Sequence, residues 1–323
     1  MNYTAERQTI DAIEAVYLAD VRSHTEVWIA PSVGNNSYDM KVKGRRVFWS
    51  PYQTLGQLKA QPAMAGNPFL APWANRLDQE AFWANGRKYT LNPDLKNYRL
   101  DGFRQPIHGL LMYAPQWQVT SLRSGEESAS VTSRLEFWRY PDYMAQFPFA
   151  HAYQMTYRLK SGTLEVETIV ENLSTDPMPV SVAYHPYFSL PGVPRDDWQI
   201  RVPVREHVML NEKLTPTGER KPFSLAQPIV LRGRQMDDVF AAVDPTQEFS
   251  VEGPGHKISL RFGEKFPVAV VYAPQGRDFI CFEPMSGITN AYNLSYAGKY
   301  PDLQKIAPGG QWRESFWIRA EYQ

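Results

Sequence analysis

The sequence has little of what marks secreted, membrane or nucleic-acid-binding proteins. It contains 1 cysteine, Cys281, which excludes an internal disulfide framework and a cysteine-based zinc site. Its 34 basic and 34 acidic side chains cancel, so the positive surface on which nucleic-acid binding depends is missing. No stretch approaches the ~18 consecutive apolar residues of a membrane span, and the first residues lack the basic and apolar parts of a secretory leader. These absences predict a soluble, cytoplasmic protein without nucleic-acid or membrane partners.

Proline and aromatic residues, in contrast, are abundant. The chain of 323 residues has 26 prolines, against about 16 expected at the usual ~5%. Each proline inside a helix costs ~3 kcal/mol, so prolines spread along the whole chain leave little room for long helices. Aromatic residues, at 13% of the chain, favour strands. The composition therefore predicts an all-β protein with few short helices.

Alternation of apolar and polar residues predicts many short strands joined by tight turns. Residues 164–172 begin with strict apolar/acidic alternation, and a Ser161-Gly162 turn connects them to an aromatic run at 150–160. Further hairpins are predicted at 40–49 and 117–138, and strands at 257–262, 269–272, 279–282 and 314–322. Short helices are predicted only at 54–60 and 5–15. Since no linker or repeat divides the chain, we expect one domain over residues 1–323, a sandwich or a barrel.

Four segments place ionisable residues in apolar or aromatic surroundings. In the first, Asn75-Arg76 interrupts an apolar run, where the fork of an arginine suits a pair of hydroxyls or a carboxylate. The alternative for Arg76 is a structural ion pair. In the second, His108-Gly109 precedes an apolar run, which is typical of an imidazole at a tight turn. The alternative for His108 is a core histidine whose hydrogen bonds are satisfied.

The other two segments carry an ionisable residue immediately before a proline. Pro186 biases His185 toward extended backbone and ends strand pairing, and Glu283-Pro284 repeats this pattern after four apolar residues. We therefore expect both side chains at strand ends that open into one pocket. Burial there should raise the pKa of Glu283 toward that of a general base, while His185 is expected to keep a pKa near its ordinary ~6.5.

Five short motifs, taken in order, resemble the aldose 1-epimerase (galactose mutarotase-like) family. They are Asn75-Arg76, His108-Gly109, His185-Pro-Tyr-Phe188, Asp237-Asp-Val-Phe240 and Glu283-Pro284. Each motif is short, but all five occur in the family's order and span residues 75–284, most of the chain. The resemblance implies a single large antiparallel β-sandwich, the galactose mutarotase-like supersandwich, with an open sugar cleft. That fold class agrees with the composition.

The resemblance also implies roles for particular residues. Glu283 would be the general base and His185 the general acid that open and close the ring of a free aldose. The sugar would be bound and oriented by four further residues: Arg76, His108, Asp237 and Asn75. Asp237 is preferred over Asp238 because the family's acidic residue lies three positions before the aromatic, here Phe240. Tyr187 or Trp73 would offer an aromatic face to the sugar.

The same resemblance implies a monosaccharide as the partner, with no metal or cofactor, because only protons move between the groups. We expect a monomer or a homodimer. The chain departs from galactose-specific members at Leu110, where they have a second glycine, and at Leu77, where isoleucine is usual. These departures indicate a divergent branch and leave the identity of the sugar open.

Three other functions are compatible with parts of the pattern. A hexose-6-phosphate 1-epimerase would need cations for the phosphate, which Arg99 and Arg104 could supply. A non-catalytic carbohydrate-binding protein would need no matched acid and base, so His185 together with Glu283 argues against it. A glycosidase would use two carboxylates, Asp237 and Glu283, but would leave the histidines without a role.

Overall fold

Antiparallel strands make up most of the molecule. The computed structural model describes residues 2–323, and about 48% of the chain is strand and 8% helix. The strands in chain order are β1 (Tyr3–Ile10), β2 (Ile13–Asp20), β3 (Thr25–Ala30), β4 (Asn36–Val42), β5 (Arg45–Arg46), β6 (Phe69–Leu70), β7 (Ala81–Ala84), β8 (Arg87–Thr90), β9 (Arg99–Leu100), β10 (Pro106–Ile107), β11 (Gln118–Ser124), β12 (Ala129–Leu135), β13 (His151–Lys160), β14 (Thr163–Asn172), β15 (Met178–Pro179), β16 (Ala183–Tyr184), β17 (Tyr187–Phe188), β18 (Gln199–Arg201), β19 (Val204–Leu210), β20 (Pro216–Pro222), β21 (Ile229–Val230), β22 (Met236–Val243), β23 (Phe249–Gly253), β24 (His256–Phe262), β25 (Val268–Ala273), β26 (Ile280–Met285), β27 (Lys305–Ile306) and β28 (Gln311–Tyr322). The helices are α1 (Leu55–Ala60), α2 (Pro141–Gln146) and α3 (Ala291–Tyr296), with single 3-10 turns at Pro93–Leu95, Phe137–Arg139 and Arg195–Asp197.

Three large sheets organise these strands. The largest has nine strands in the order β11-β12-β13-β14-β28-β24-β23-β18-β21. The second has eight strands: seven follow the order β20-β19-β22-β25-β26-β16-β6, and the eighth, β17, pairs with β26. The third consists of β1 to β5 in chain order. Every strand pairing is antiparallel, as the sequence pattern predicts. The predicted antiparallel β-sandwich is thus confirmed.

The core lies between the nine-stranded and the eight-stranded sheets. Tyr184 of β16 packs on Phe316 of β28 with ring centroids 4.7 Å apart, and Phe282 of β26 packs on Phe249 of β23 at 5.7 Å. Side chains alternate between the two faces of a strand, so the neighbours of Phe282 on β26 point away from this core. One of those neighbours is Glu283, and this alternation places it on the opposite face of the eight-stranded sheet.

Most predicted strands and turns are present, and so is one of the two helices. The hairpin β13–β14 turns at Ser161-Gly162, β11–β12 lies within the hairpin predicted at 117–138, and β4–β5 overlaps the one predicted at 40–49 but begins earlier, at Asn36. Helix α1 occupies the segment predicted at 54–60, where the hydroxyl of Thr54 accepts a hydrogen bond from the Gln57 amide at 3.2 Å. The helices α2 and α3 were not predicted.

The predicted helix at residues 5–15 is wrong. The segment forms the hairpin β1–β2, in which Ile10 pairs with Ile13. Asp11 and Ala12 have φ of 51° and 61°, the left-handed values that a two-residue hairpin turn requires. An Arg7–Glu14 ion pair at 2.9 Å further joins the strands. Apolar spacing in so short a segment does not separate a helix from a strand.

No helix in residues 2–323 is long and apolar enough to span a bilayer.

Candidate active site

All six residues singled out from the sequence line one pocket of about 230 Å³. The other lining residues are Met64, Ile107, Tyr187, Val270 and Tyr272. A volume of this size suits one small molecule, because pockets for drug-sized ligands begin at about 300 Å³. The pocket therefore brings together residues that lie far apart in the sequence, although their individual roles stay predictions.

Glu283 lies inside strand β26 and not at its end, as the sequence pattern had suggested. The strand continues through Pro284 to Met285, and Glu283 stands opposite Val270 of β25. Its side chain is 1% exposed, and neither carboxylate oxygen has a hydrogen-bond partner within residues 2–323. Burial raises the pKa of Glu283 well above its ordinary value, Asp237 adds to the rise, and Arg76 opposes it.

His185 follows the short strand β16, at a point where its amide donates to the Pro68 carbonyl at 3.0 Å. Its ring stacks on Tyr187 with centroids 4.7 Å apart, which fixes the imidazole plane. Nε2 lies 3.1 Å from Oε1 of Glu283, but the contact does not have hydrogen-bond geometry, and Nδ1 has no partner in the described chain. Both groups are thus desolvated and have unused hydrogen-bonding capacity that faces the pocket.

The expectation that His185 keeps an ordinary pKa is wrong. Burial lowers the pKa of its imidazole to about 3, and the charge of Arg76 acts in the same direction. Because the low-polarity surroundings disfavour both charged forms, the carboxyl and the imidazole are both driven toward neutrality. The pair then holds one proton between them.

Arg76 is fixed by an ion pair, so the structural alternative raised for it is also realised. Its Nε donates to Oδ2 of Asp101 at 2.8 Å, and its Nη1 donates to Oδ1 of Asn75 at 3.0 Å. Asp101 is itself held, since its other oxygen accepts from the amides of Phe103 and Gln105 at 2.8 and 2.9 Å. Arg76 still lines the pocket, so the two roles are compatible.

His108 lies next to Arg76 because the backbone joins their segments. The amide of His108 donates to the Asn75 carbonyl at 2.8 Å, and Arg76 forms a bridge with Ile107. His108 has a φ of 67° and its Nδ1 is buried without a partner in the described chain, so it is not a satisfied core histidine. Burial, together with His185, Arg76 and Arg99, lowers the pKa of His108 well below its ordinary value.

Gly109 makes this turn possible. Its φ is 66°, and a Cβ atom at this position would lie 2.1 Å from the Ala71 carbonyl oxygen. That same oxygen accepts hydrogen bonds from the amides of Leu110 and Leu111 at 2.7 and 3.2 Å. The close approach sets the position of His108, so the His-Gly pair has a physical reason.

Strand alternation separates Asp237 from its neighbour Asp238. Asp237 pairs with Tyr272 and faces the pocket, whereas Asp238 points to the other face, where its Oδ1 lies 2.9 Å from Nε2 of His207. The preference for Asp237 agrees with this geometry. Burial raises the pKa of Asp237, Arg76 opposes the rise, and Asp238 adds to it.

Two tyrosines, and not Trp73, supply the aromatic walls. Tyr187 and Tyr272 line the pocket, but Trp73 is buried in the core and has no part in the lining. Tyr272 was not predicted as a site residue, because its place beside Asp237 depends on the pairing of β22 with β25. Asp101 was missed because a single aspartate before a glycine indicates only a turn.

The arrangement suits proton transfer to a neutral, hydroxylated molecule. An acid and a base that share one proton lie beside an arginine, a neutral imidazole and a second carboxyl, all within hydrogen-bonding reach of a small ligand. Arg99 and Arg104 lie on the β9–β10 hairpin, exposed and outside the lining. No group of three or more potential metal-ligating side chains in residues 2–323 is arranged to hold an ion.

Comparison with known proteins gives a family and a fold. The Aldose 1-epimerase family model matches residues 31–319. The uncharacterized protein YphB of Escherichia coli strain K12 is 23% identical over 262 residues, which cover 78% of this chain and 83% of that protein. A galactose mutarotase-like protein from Clostridium acetobutylicum has the same fold, with a TM-score of 0.86 and 19% identity over 100% of this chain and 99% of that one. Galactose 1-epimerase from Lactobacillus acidophilus has a TM-score of 0.73 and 14% identity over 99% and 98% of the two chains.

Proposed function

Because the chain belongs to the aldose 1-epimerase family, we propose that it interconverts the α and β anomers of a free monosaccharide by acid–base opening and closure of the ring. The resemblance inferred from the sequence is confirmed at the level of the family. The activity itself, the sugar and the roles of individual residues belong to the proposal. So does the cytoplasm as the place of the reaction.

In the proposed reaction, Glu283 and His185 exchange protons with the two oxygens of the hemiacetal. The step starts from the form of the pair in which the shared proton lies on His185, so that the Glu283 carboxylate takes the proton of the C1 hydroxyl while the His185 imidazolium gives a proton to the ring oxygen. The C1–ring oxygen bond breaks, its electron pair stays on the ring oxygen, and C1 becomes an aldehyde. Rotation about C1–C2 presents the other aldehyde face. Closure reverses both transfers, so the enzyme ends in its starting protonation state.

The burial of both groups fits this sequence of charges. Ring opening converts a carboxylate and an imidazolium into a neutral acid and a neutral imidazole, the pair of states that the buried surroundings favour. Ring opening from the charged form therefore leaves no buried charge on either group. Arg76, Asn75, His108 and Asp237 would hold the remaining hydroxyls so that C1 stays between the acid and the base.

One observation supports this proposal above the others: the 3.1 Å approach of His185 Nε2 to Glu283 Oε1 inside a pocket of monosaccharide size. A protein that only binds sugar needs no matched acid and base, and burying both members of such a pair costs free energy. The phosphorylated-sugar alternative has less support, because Arg76 in the lining is already paired with Asp101, and Arg99 and Arg104 lie outside the lining.

The test is an anomer-equilibration assay by polarimetry or NMR with glucose, galactose, xylose and the 6-phosphates of the two hexoses. We expect catalysis above the spontaneous rate with at least one unphosphorylated sugar. Glu283→Gln and His185→Asn should each lower kcat by roughly 10²–10⁴-fold with little change in KM. Arg76→Ala should raise KM as well, because it removes a positioning contact.

Glu167→Gln is the matched control, since Glu167 pairs with Arg313 on the nine-stranded sheet and does not line the pocket. It should keep the full rate. Full activity of Glu283→Gln would refute the base assignment. Sugar binding without catalysis in the unaltered chain would favour the carbohydrate-binding alternative, and turnover of the 6-phosphates alone would favour the phosphosugar epimerase.

A further inference from the structure

A second pocket, of about 330 Å³, lies against the five-stranded sheet and shares no residue with the candidate active site. Trp28 of β3 contributes to its floor, and Lys41 and Arg46 come from β4 and β5. On β3 the neighbours of Trp28, Val27 and Ile29, are buried in the core, so Trp28 faces away from the core. The other side is covered by residues 50, 52–55 and 58, from α1 and the loop before it.

A β-bulge aims two consecutive side chains into this pocket. Trp28 pairs with Asp39, but the next residue, Ile29, pairs with Ser37, so Tyr38 is an extra residue in β4. Consecutive residues of a regular strand point to opposite faces, yet Tyr38 and Asp39 both line the pocket. Bulges of this kind re-aim side chains and are frequent beside binding and active sites.

Asp39 lies between two cations, and its contacts with both are long. The residue is only 8% exposed, yet its carboxylate oxygens lie 3.6 Å from Nε of Arg46 and 3.7 Å from Nζ of Lys41. Both distances exceed the 2.7–3.2 Å of a hydrogen bond. Burial raises the pKa of Asp39, while Arg46 and Lys41 oppose the rise.

Other polar groups of the wall are already engaged within the protein. Asp11 accepts from the Gly56 amide at 2.8 Å, and the Tyr52 hydroxyl donates to the Gln61 carbonyl. Asp39 therefore presents carboxylate oxygens at the pocket wall that a ligand can reach.

The charges of the wall define what fits. Two cations, Lys41 and Arg46, balance two carboxylates, Asp39 and Asp11, so a phosphate would meet the carboxylates and an amine would meet the cations. A hydroxyl donates to a carboxylate and accepts from a cation, and it can therefore satisfy both. The rings of Tyr38 and Tyr52 offer apolar faces to C–H groups, and the Trp28 ring adds aromatic surface beside Lys41, whose Nζ lies 4.8 Å from its centroid.

We propose that this pocket, defined by Trp28, Tyr38, Asp39, Lys41 and Arg46, binds a neutral carbohydrate at a site separate from the candidate active site. The proposal rests on the chemistry of these residues alone and holds whether or not the chain is an epimerase. Its ligand is a saccharide without phosphate or amine groups.

The experiment counts bound sugars per chain by equilibrium dialysis with glucose, galactose and xylose, and measures anomer equilibration on the same samples. We expect two sites in the unaltered chain. Asp39→Ala and Trp28→Leu should each remove one site, or weaken it at least tenfold, while the equilibration rate stays unchanged. Glu283→Gln should leave both sites occupied and lower only the rate.

Trp317→Leu is the matched control, because Trp317 lies under Arg261 at 4.0 Å, as Trp28 lies under Lys41 at 4.8 Å, but lines neither pocket. It should keep both sites. Circular dichroism and thermal unfolding check that each variant folds, and Lys41→Met replaces Asp39→Ala if that variant does not. Unchanged binding in Trp28→Leu and the folded Asp39 or Lys41 variant would overturn the proposal. Tighter binding of the 6-phosphates at this site would overturn the neutral ligand class.

Discussion

At the scale of single residues, the candidate active site depends on two ionisable groups whose burial disfavours the charge that each would carry in water. Glu283 is buried with no hydrogen bond to its carboxylate in the described chain, and His185 is buried with a free Nδ1. Burial moves their pKa values in opposite directions, so their two titrations are well separated. A pair separated in this way keeps one shared proton over a wide range of pH.

The rate of anomer equilibration should follow a broad bell against pH. The acid limb marks protonation of His185 and should lie below its ordinary 6.5, because burial lowers the pKa of that imidazole to about 3. The alkaline limb marks loss of the Glu283 proton and should lie above the ordinary carboxyl value, because burial raises that pKa. Measurements of kcat/KM against pH test both. An acid limb at 6.5 or higher would contradict the burial of His185.

Glu283 should also lower the stability of the fold at neutral pH. The unfolded chain releases this proton near the ordinary carboxyl pKa, whereas the folded chain retains it because the folded-state pKa is raised. Stability therefore falls as pH rises above the unfolded value. Glu283→Gln should raise the free energy of unfolding by about 0.5–2 kcal/mol at pH 8, with a smaller gain at pH 5. Denaturant titrations at the two pH values measure it, and an equal gain at both would contradict the linkage.

Asp101 is a positioning residue for Arg76. Asp101→Asn removes the charge that receives Nε of Arg76 at 2.8 Å, so the guanidinium should lose its fixed orientation. Since a hydrogen bond to a charged group contributes about 1.5–3 kcal/mol, KM should rise roughly tenfold or more, with a smaller change in kcat. Asp94→Asn, an exposed aspartate of a 3-10 turn, is the control. A loss confined to kcat would argue for a different role.

At the scale of elements, register and alternation decide which side chains meet. Strands β22, β25 and β26 pair so that Asp237 stands opposite Tyr272 and Val270 stands opposite Glu283. This brings two carboxyls from distant parts of the sequence to one sheet face. The same alternation turns Asp238 away to His207.

Gly109→Ala tests the turn that positions His108. The new Cβ would lie 2.1 Å from the Ala71 carbonyl oxygen, at a φ of 66° that side chains disfavour. We expect a loss of about 2–4 kcal/mol in unfolding free energy and a reduced rate. Gly86→Ala is the control, because its φ is 75° but no atom lies within 4 Å of the added Cβ. Equal losses in both variants would attribute the effect to φ alone.

The sequence predicts these elements unevenly, for physical reasons. Long amphipathic hairpins such as β13–β14 are predicted because alternation over ten residues has one explanation. The hairpin β1–β2 was mistaken for a helix because its turn is formed by Asp11 and Ala12, which carry no glycine signal. Glu283 was placed at a strand end because Pro284 is usually excluded from central strands. Pocket residues that are held by pairing, such as Tyr272, become visible only once the register is known.

At the scale of the whole molecule, the site is supported by the contact between the two largest sheets. Phe282 precedes Glu283 on β26 and packs on Phe249, which also stacks on Phe262 at 4.4 Å. The position of Glu283 therefore depends on the packing of a sheet that contributes no residue to the pocket.

Phe249→Ala should lower the free energy of unfolding by about 3–5 kcal/mol, the usual cost of a cavity left by a buried phenyl ring. Phe249 is fully buried, whereas Phe103 is 48% exposed, so Phe103→Ala should change stability by no more than about 0.5 kcal/mol. Chemical denaturation of the two variants gives the comparison. A small loss of unfolding free energy for Phe249→Ala would show that other contacts hold the two sheets together.

Synthesis on the ribosome gives the position of β28 a further consequence. This strand emerges after every other strand described, yet it lies between β14 and β24 in the middle of the nine-stranded sheet. Its Arg313 pairs with Glu167, 146 residues earlier in the chain. Until β28 is released, β14 and β24 present unpaired edges that invite association with other nascent chains. The strands of the eight-stranded sheet, which carry the pocket residues, are all synthesised before β28. The nine-stranded sheet that packs against them is complete only when β28 has been added.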